Sequence, residues 1–193
     1  GKGIGRACAI ALAEAGADLI IISRTQKDLV NVSRIIKKLK SKCSIFTCDV
    51  TNYIQIKNII SKQKKIDILV NNAAMIHTAI FQMTSIKKLK EVFEIDFFSQ
   101  TNFTQYILKS MIKNKKGSIL YISSSSALDG NEGRSAYSSA KSALITQSKV
   151  LSRELGVYNI RVNTIAPGLT DTDMMKENTT QETIKDVLSR VSL

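Results

Sequence analysis

Tyr137 and Lys141 stand four residues apart in the segment AYSSAK. At the start of a helical stretch, that spacing puts both on one face, one turn apart. A phenol ordinarily ionises near pH ~10 and is a poor acid at neutrality. A neighbouring ammonium favours the phenolate and lowers that value, so the pair is a candidate tuned proton donor. Upstream, four consecutive serines, Ser123–Ser126, follow the apolar run GSILYIS. A hydroxyl there could polarise a carbonyl oxygen, and the residues alone leave open which serine does so. At the other end, GKGIG (Gly1–Gly5) runs into an alanine-rich amphipathic stretch. That is the pattern of a phosphate-cradling turn opening a helix. His77, the only histidine, falls in a loop and reads as exposed.

The elements that must position these residues alternate along the chain. Helical patterning covers Arg6–Ala15, Gln26–Lys40, about Tyr53–Ser61, a long region from Ser85 to Lys113, and Ser135–Leu155. Between them lie short β-branched runs at Asp18–Ser23, Cys43–Cys48, Ile66–Asn71, Gly117–Ser123 and Ile160–Ala166. Asp18–Ser23 (DLIIIS) reads as a strand buried on both faces. Alternation of this kind predicts an α/β fold, a doubly wound parallel sheet in one domain. In such sheets ligands bind beyond the carboxyl ends of the strands. There the sequence places SRT, CDV, NNAA, SSSS and APGLTDT.

The glycine turn, NNAA after a strand, the Ser/Tyr-x-x-x-Lys set and RVNTIAPG followed by TDM come in the order of the short-chain dehydrogenase/reductase family, which the chain resembles over its whole length. The resemblance implies Rossmann-like topology and NAD(P)-dependent oxidoreduction, nearest to the 3-oxoacyl-acyl-carrier-protein reductases. It implies a catalytic serine thirteen residues before the tyrosine, which is Ser124, with Ser123, Ser125 and Ser126 as lesser candidates. Tyr137 would donate the proton, and Lys141 would lower its pKa and hold the nicotinamide ribose. Gly1, Lys2, Gly3, Ile4 and Gly5 would form the phosphate turn. Asp49 and Val50 would meet the adenine, and Asn71 and Ala73 would line the cofactor channel. Pro167, Gly168 and Thr172 would sit against the carboxamide, while Asn163 would tie strands together. The family's turn begins upstream of Gly1 and its sheet closes beyond Leu193, so the resemblance predicts a first and a last strand outside this chain.

Two positions depart from the family pattern. Ala74 replaces a glycine, which carries a cost if that backbone needs positive φ. Asp96 stands where a fourth catalytic member, an asparagine, is usual, twenty-eight residues before Ser124; its charge would oppose a phenolate. For the cofactor, a carboxylate at the end of the second strand suits NAD, whereas an arginine accommodates the 2′-phosphate of NADP. Here Ser23 and Arg24 stand without an acid, and Lys2 adds a cation, which points to NADP (NADPH).

Composition sets the remaining expectations. The net charge of +12 comes from lysines scattered over helix faces, with no aromatic interleaving and no basic tail, so no nucleic-acid partner is expected. It would suit an acidic carrier protein. No apolar run reaches membrane-spanning length, so no membrane partner is expected either. Three cysteines without metal-ligand spacing suggest reduced thiols and a cytoplasmic protein, with no metal. The expected substrate is a small-molecule or carrier-bound ketone, and the expected full-length assembly a homo-oligomer. A non-catalytic, NADP-binding regulator or scaffold is the alternative.

Overall fold

The computed structural model describes residues 1–189. Five short strands run in parallel in two groups. β1 (Leu19–Ser23) pairs with β2 (Cys43–Thr47), from Leu19 opposite Cys43 to Ser23 opposite Thr47. β3 (Ile68–Asn71), β4 (Gly117–Ile122) and β5 (Ile160–Ile165) form a second sheet with β4 at its centre. Parallel neighbours require crossover connections, and each of them is helical. α2 (Gln26–Lys38) joins β1 to β2, and α3 (Tyr53–Ser61) joins β2 to β3. α4 (Ile86–Phe93) and α5 (Ser99–Asn114) lie between β3 and β4, and α7 (Ser135–Leu155) between β4 and β5. This is a single-domain, Rossmann-like α/β fold, as the alternation predicts.

α1 (Gly3–Glu14) and α2 cover one face of β1 and β2, where Ala9, Ala13, Val32 and Ile36 pack on Leu19 and Ile21. Ile56 and Ile59 of α3 pack on Ile22 and Phe46 from the other side. The largest core lies under α5 and α7, with Ile107, Met111, Leu144 and Leu155 against Leu69, Ile119, Tyr121 and Val162.

β1 departs from expectation. All five of its residues are only partly buried, because the strand has a hydrogen-bonded neighbour on one edge alone. Among the described residues nothing pairs β1 with β3, and Ile68 stays 45% exposed. Asn163 is exposed on β5, in register with Leu120. Ala74 does not adopt positive φ, so the cost foreseen for it does not arise.

The long helical region is not one helix. Between α4 and α5 the chain makes a π-helical turn, Glu94–Phe98. A π turn holds an extra residue, which leaves carbonyls looking for donors. The Ser99 and Thr101 hydroxyls donate to Ile95 O and Phe97 O at 2.7 and 3.0 Å, and Tyr53 of α3 donates to the Glu94 carboxylate. Three short helices were not foreshadowed by periodicity. They are α6 (Ser126–Asp129), α8 (Asp173–Asn178, capped by Thr172 Oγ1 accepting from Met175 N at 3.2 Å) and α9 (Gln181–Ser189).

Leu144 is fully enclosed in the main core. Leu144→Ala removes apolar contact and leaves a cavity, so unfolding free energy from urea titration should fall by about 2–5 kcal/mol. A loss under about 1 kcal/mol would mean that the face between α7 and β4 is not the principal core.

Candidate active site

The carboxyl ends of the strands and the start of α1 converge. A Cβ on Gly5 would stand 2.6 Å from Asn72 Nδ2, just past β3. Gly3 has φ +49°, in the left-handed region that favours glycine, and a Cβ there would lie 3.1 Å from Thr172 Cγ2, after β5. Lys2 Nζ pairs with Asp173 Oδ2 at 3.2 Å, and Gly1 abuts Asp28 at the start of α2. The glycine turn is therefore pressed between the first turn of α2 and the loops after β3 and β5. No side chain caps α1, so the first backbone N–H groups of this 12-residue helix are free for an anionic ligand. Gly1, Lys2 and Gly3 are exposed, and Ile4 and Gly5 half-buried.

The other foreseen cofactor residues lie along the same edge. Ser23 ends β1 and Arg24 beyond it is exposed. Asp49, after β2, accepts from Thr51 N at 2.9 Å and Thr51 Oγ1 at 2.7 Å, bonds that hold its carboxyl below the usual range; Val50 is half-buried beside it. Asn71 is buried and donates through Nδ2 to Thr104 Oγ1 at 3.1 Å, an oxygen that also lies 2.7 Å from Tyr121 OH. Gln100 Nε2 donates to Ala73 O at 2.7 Å. Gln100, Thr104 and Tyr121 thus position the strand end that carries Asn71 and Ala73. Nothing in their spacing had marked them. Pro167 O accepts from Ser125 N at 2.9 Å, Gly168 O accepts from Thr170 Oγ1 at 3.1 Å, and Thr172 caps α8.

Ser124, Tyr137, Lys141 and Asp96 come together. Among the four serines, Ser123 Oγ is turned away, donating to Lys141 O at 2.9 Å. Ser124 Oγ lies 2.9 Å from Ser126 Oγ and stands near enough to the Tyr137 phenol to bear on its ionisation. Tyr137 is 8% exposed, and burial drives its phenol above the ordinary value. Ser124 pulls it down, the Asp96 charge pushes it up and Arg134 pulls it down. The foreseen lowering by Lys141 is not what this arrangement gives. The Lys141 ammonium donates to Ile122 O at 2.9 Å and lies 3.7 Å from Asp96 Oδ2, with the tyrosine ring centroid 5.7 Å away. Asp96 Oδ1 accepts from Met75 N at 2.8 Å.

His77 is half-buried, with Nε2 enclosed and unpartnered, rather than exposed. Arg134, not singled out from sequence, is half-buried near Tyr137, and burial lowers its pKa; it donates to Asn178 O at 2.6 Å and so tethers the end of α8. Among the described residues no metal-binding cluster occurs, and no helix is long and apolar enough to cross a membrane.

Comparison with known proteins decides the family, since the short chain dehydrogenase family matches residues 1–183. The chain belongs to the short-chain dehydrogenases. It is an NAD(P)-dependent oxidoreductase acting on CH–OH groups. The 3-oxoacyl-[acyl-carrier-protein] reductase FabG of Thermotoga maritima is 32% identical over 196 residues, covering all of this chain and 79% of that protein. The FabG of Chlamydia trachomatis is 38% identical over 72% of this chain and 58% of its own length. A solved 7 alpha-hydroxysteroid dehydrogenase, in complex with NADH and 7-oxo glycochenodeoxycholic acid, superposes with a TM-score of 0.91 at 32% identity, covering 97% of this chain and 74% of that one. The compressed glycine turn and the uncapped start of α1 in this short-chain dehydrogenase fit a nicotinamide dinucleotide's diphosphate.

Asp49 offers a test of local order at this edge. Its folded-state pKa lies below the unfolded one, so its contribution is present above pH ~4 and lost as pH falls through the folded value. Asp49→Ala should cost about 1 kcal/mol at pH 7, and the difference should shrink as the pH drops below ~4. A difference independent of pH would assign the effect to packing instead.

Proposed function

We propose that this short-chain dehydrogenase reduces a ketone to a secondary alcohol with NADPH, the ketone being a small molecule or a 3-oxoacyl group on an acidic carrier protein. The observation that carries the reading is the buried Tyr137, beside Ser124 and one helical turn from Lys141, at the same sheet edge as the glycine turn.

The glycine turn and the free N–H groups of α1 would hold the cofactor diphosphate, with Asp49 and Val50 at the adenine and Asn71 and Ala73 along the channel. Pro167, Gly168 and Thr172 would meet the carboxamide, and Lys141 the ribose. The bound nicotinamide supplies the hydride. Ser124 orients the substrate carbonyl and polarises it. Tyr137 gives its proton to the oxygen as negative charge develops there. The phenol is protonated at neutral pH, and because burial pushes its pKa up it gives the proton only as negative charge develops on the substrate oxygen.

The resemblance to the FabG reductases supports the carrier-bound substrate, and the net charge of +12 is of the right sign for an acidic partner. Exposed Arg24 at the end of β1, with no acid beside it in the SRT segment, supports NADPH. Lys2 contributes less than foreseen, because it already pairs with Asp173. No observation favours a non-catalytic role.

Tyr137→Phe keeps the ring but has no proton to give, so kcat/KM should fall at least ~100-fold while NADPH affinity stays near the parent value. Retention of a tenth of the activity would assign the proton to another residue. The parent enzyme should prefer NADPH over NADH by at least ~10-fold, about 1.4 kcal/mol. Arg24→Asp should reduce or invert that ratio; equal use of both cofactors by the parent would refute the assignment.

A further inference from the structure

We propose that Asp96 is the counter-ion that keeps buried Lys141 charged, a positioning residue that acts on the reaction through the lysine, beyond the like-charge effect it has on Tyr137. The proposal rests on the roles given above to Tyr137 and Lys141.

The geometry of both partners supports it. The Lys141 side chain is 1% exposed, and its hydrogen bond to Ile122 O supplies only a neutral acceptor. The ring of Tyr137 is the second neighbour. Asp96 is the one carboxylate within 4.0 Å of the ammonium among the described residues. Asp96 itself is wholly enclosed. One of its oxygens is used by Met75 N, while Oδ2 has no hydrogen bond and no solvent, and 3.7 Å from it stands the Lys141 ammonium. A lone buried carboxylate oxygen facing a lone buried ammonium is a matched pair of otherwise uncompensated charges.

The surroundings make the pairing consequential. The π turn carries Asp96 inward, and Val92, Leu89, Phe93, Met75 and Ile76 form an apolar wall beside Tyr137. The ionisable groups that bear on Asp96 all come from α7: Lys141, which draws it down, and Tyr137, with which it shares like-charge repulsion. The loop after β3 offers the Met75 amide, and Arg134 bears on Tyr137 only. Burial raises the Asp96 carboxyl to about 6 and lowers the Lys141 ammonium. Above that pH the carboxylate is charged and opposes the loss of the lysine proton. With a neutral amide at position 96, the lysine would hold its charge against neutral groups alone, in a dry site where lysines discharge several units early.

The test is Asp96→Asn in the intact protein, an isosteric change that leaves an oxygen for Met75 N. Two quantities are followed against pH: kcat/KM for ketone reduction, and the Kd for NADPH from nucleotide fluorescence with no ketone present. In the variant both should weaken on the basic side at least one pH unit earlier than in the parent. If neither profile moves, the proposal is wrong. If the kinetic limb moves while NADPH affinity keeps its parent pH dependence, Asp96 acts on Tyr137 alone and the proposal is also wrong. The parent alone gives a second test, independent of whether the variant folds. The 13Cε resonance of Lys141 should report an ammonium through pH 9, and discharge below pH 8 would overturn the counter-ion role. Should the parent neither bind NADPH nor reduce a ketone, the functional reading fails, yet this titration still decides the ion pair.

Discussion

An ammonium carried into the interior on Lys141 is the constraint around which the site is organised. A buried charge must be surrounded by partners, and those partners come from separate parts of the chain. Ile122 O is the last carbonyl of β4, and Asp96 comes from the turn between α4 and α5. The helix answers with its own backbone, Lys141 O accepting from Ser123 Oγ at 2.9 Å, and Ser142 Oγ reaches Ala127 O of α6 at 2.7 Å. α7 is thereby locked to the end of β4 along one turn. Tyr137, one turn earlier, and Ser124, one residue past Ser123, are placed against each other by the same lock.

That lock explains why the irregular turn is tolerated. A regular helix through residues 94–98 would keep every backbone bond. The π turn instead relies on Ser99, Thr101 and Tyr53 for its polar groups and presents Asp96 to the lysine. The cost is local: the Ser99 and Thr101 hydroxyls serve the carbonyls, and Tyr53 serves the Glu94 carboxylate. The gain is a carboxylate delivered to a position fully enclosed by α4, α7 and the loop after β3.

Much of this was legible in the sequence, for physical reasons that also mark the limit. Short β-branched runs between amphipathic stretches have few folds open to them. α7 has the bounds its pattern implied, because its apolar stripe is continuous and Gly156 follows its last residue. The π turn was illegible because one added residue shifts the hydrophobic stripe by less than a half-turn, so a 3.6-residue period still reads through it. The burial of β1 was misread because composition reports what a strand could bury, not how many neighbours it has. Ser124 was selected by family spacing; in the structure it is separated from Ser123 by which way alternate side chains point at the strand end. The direction of the Tyr137 shift was misread because spacing places Lys141 near the ring but does not report how deeply the phenol is buried, and burial is the largest effect on it.

The pair at the centre of the site is better understood as one unit than as two perturbed groups. Burial raises the Asp96 pKa and lowers that of Lys141, so each alone would lean towards its neutral form. Together they can also reach neutrality by passing a proton from lysine to aspartate across the gap between them, with no change in total charge. Which form prevails depends on what else stabilises the ammonium, and two fixed features do so: Ile122 O and the face of the Tyr137 ring. On the aspartate side Met75 N is the single donor, and its hydrogen bond is stronger to the carboxylate than to the neutral acid. Every fixed neighbour of the pair other than the desolvating apolar wall therefore favours the charge-separated arrangement. A site assembled this way holds its charge by preformed dipoles rather than by solvent.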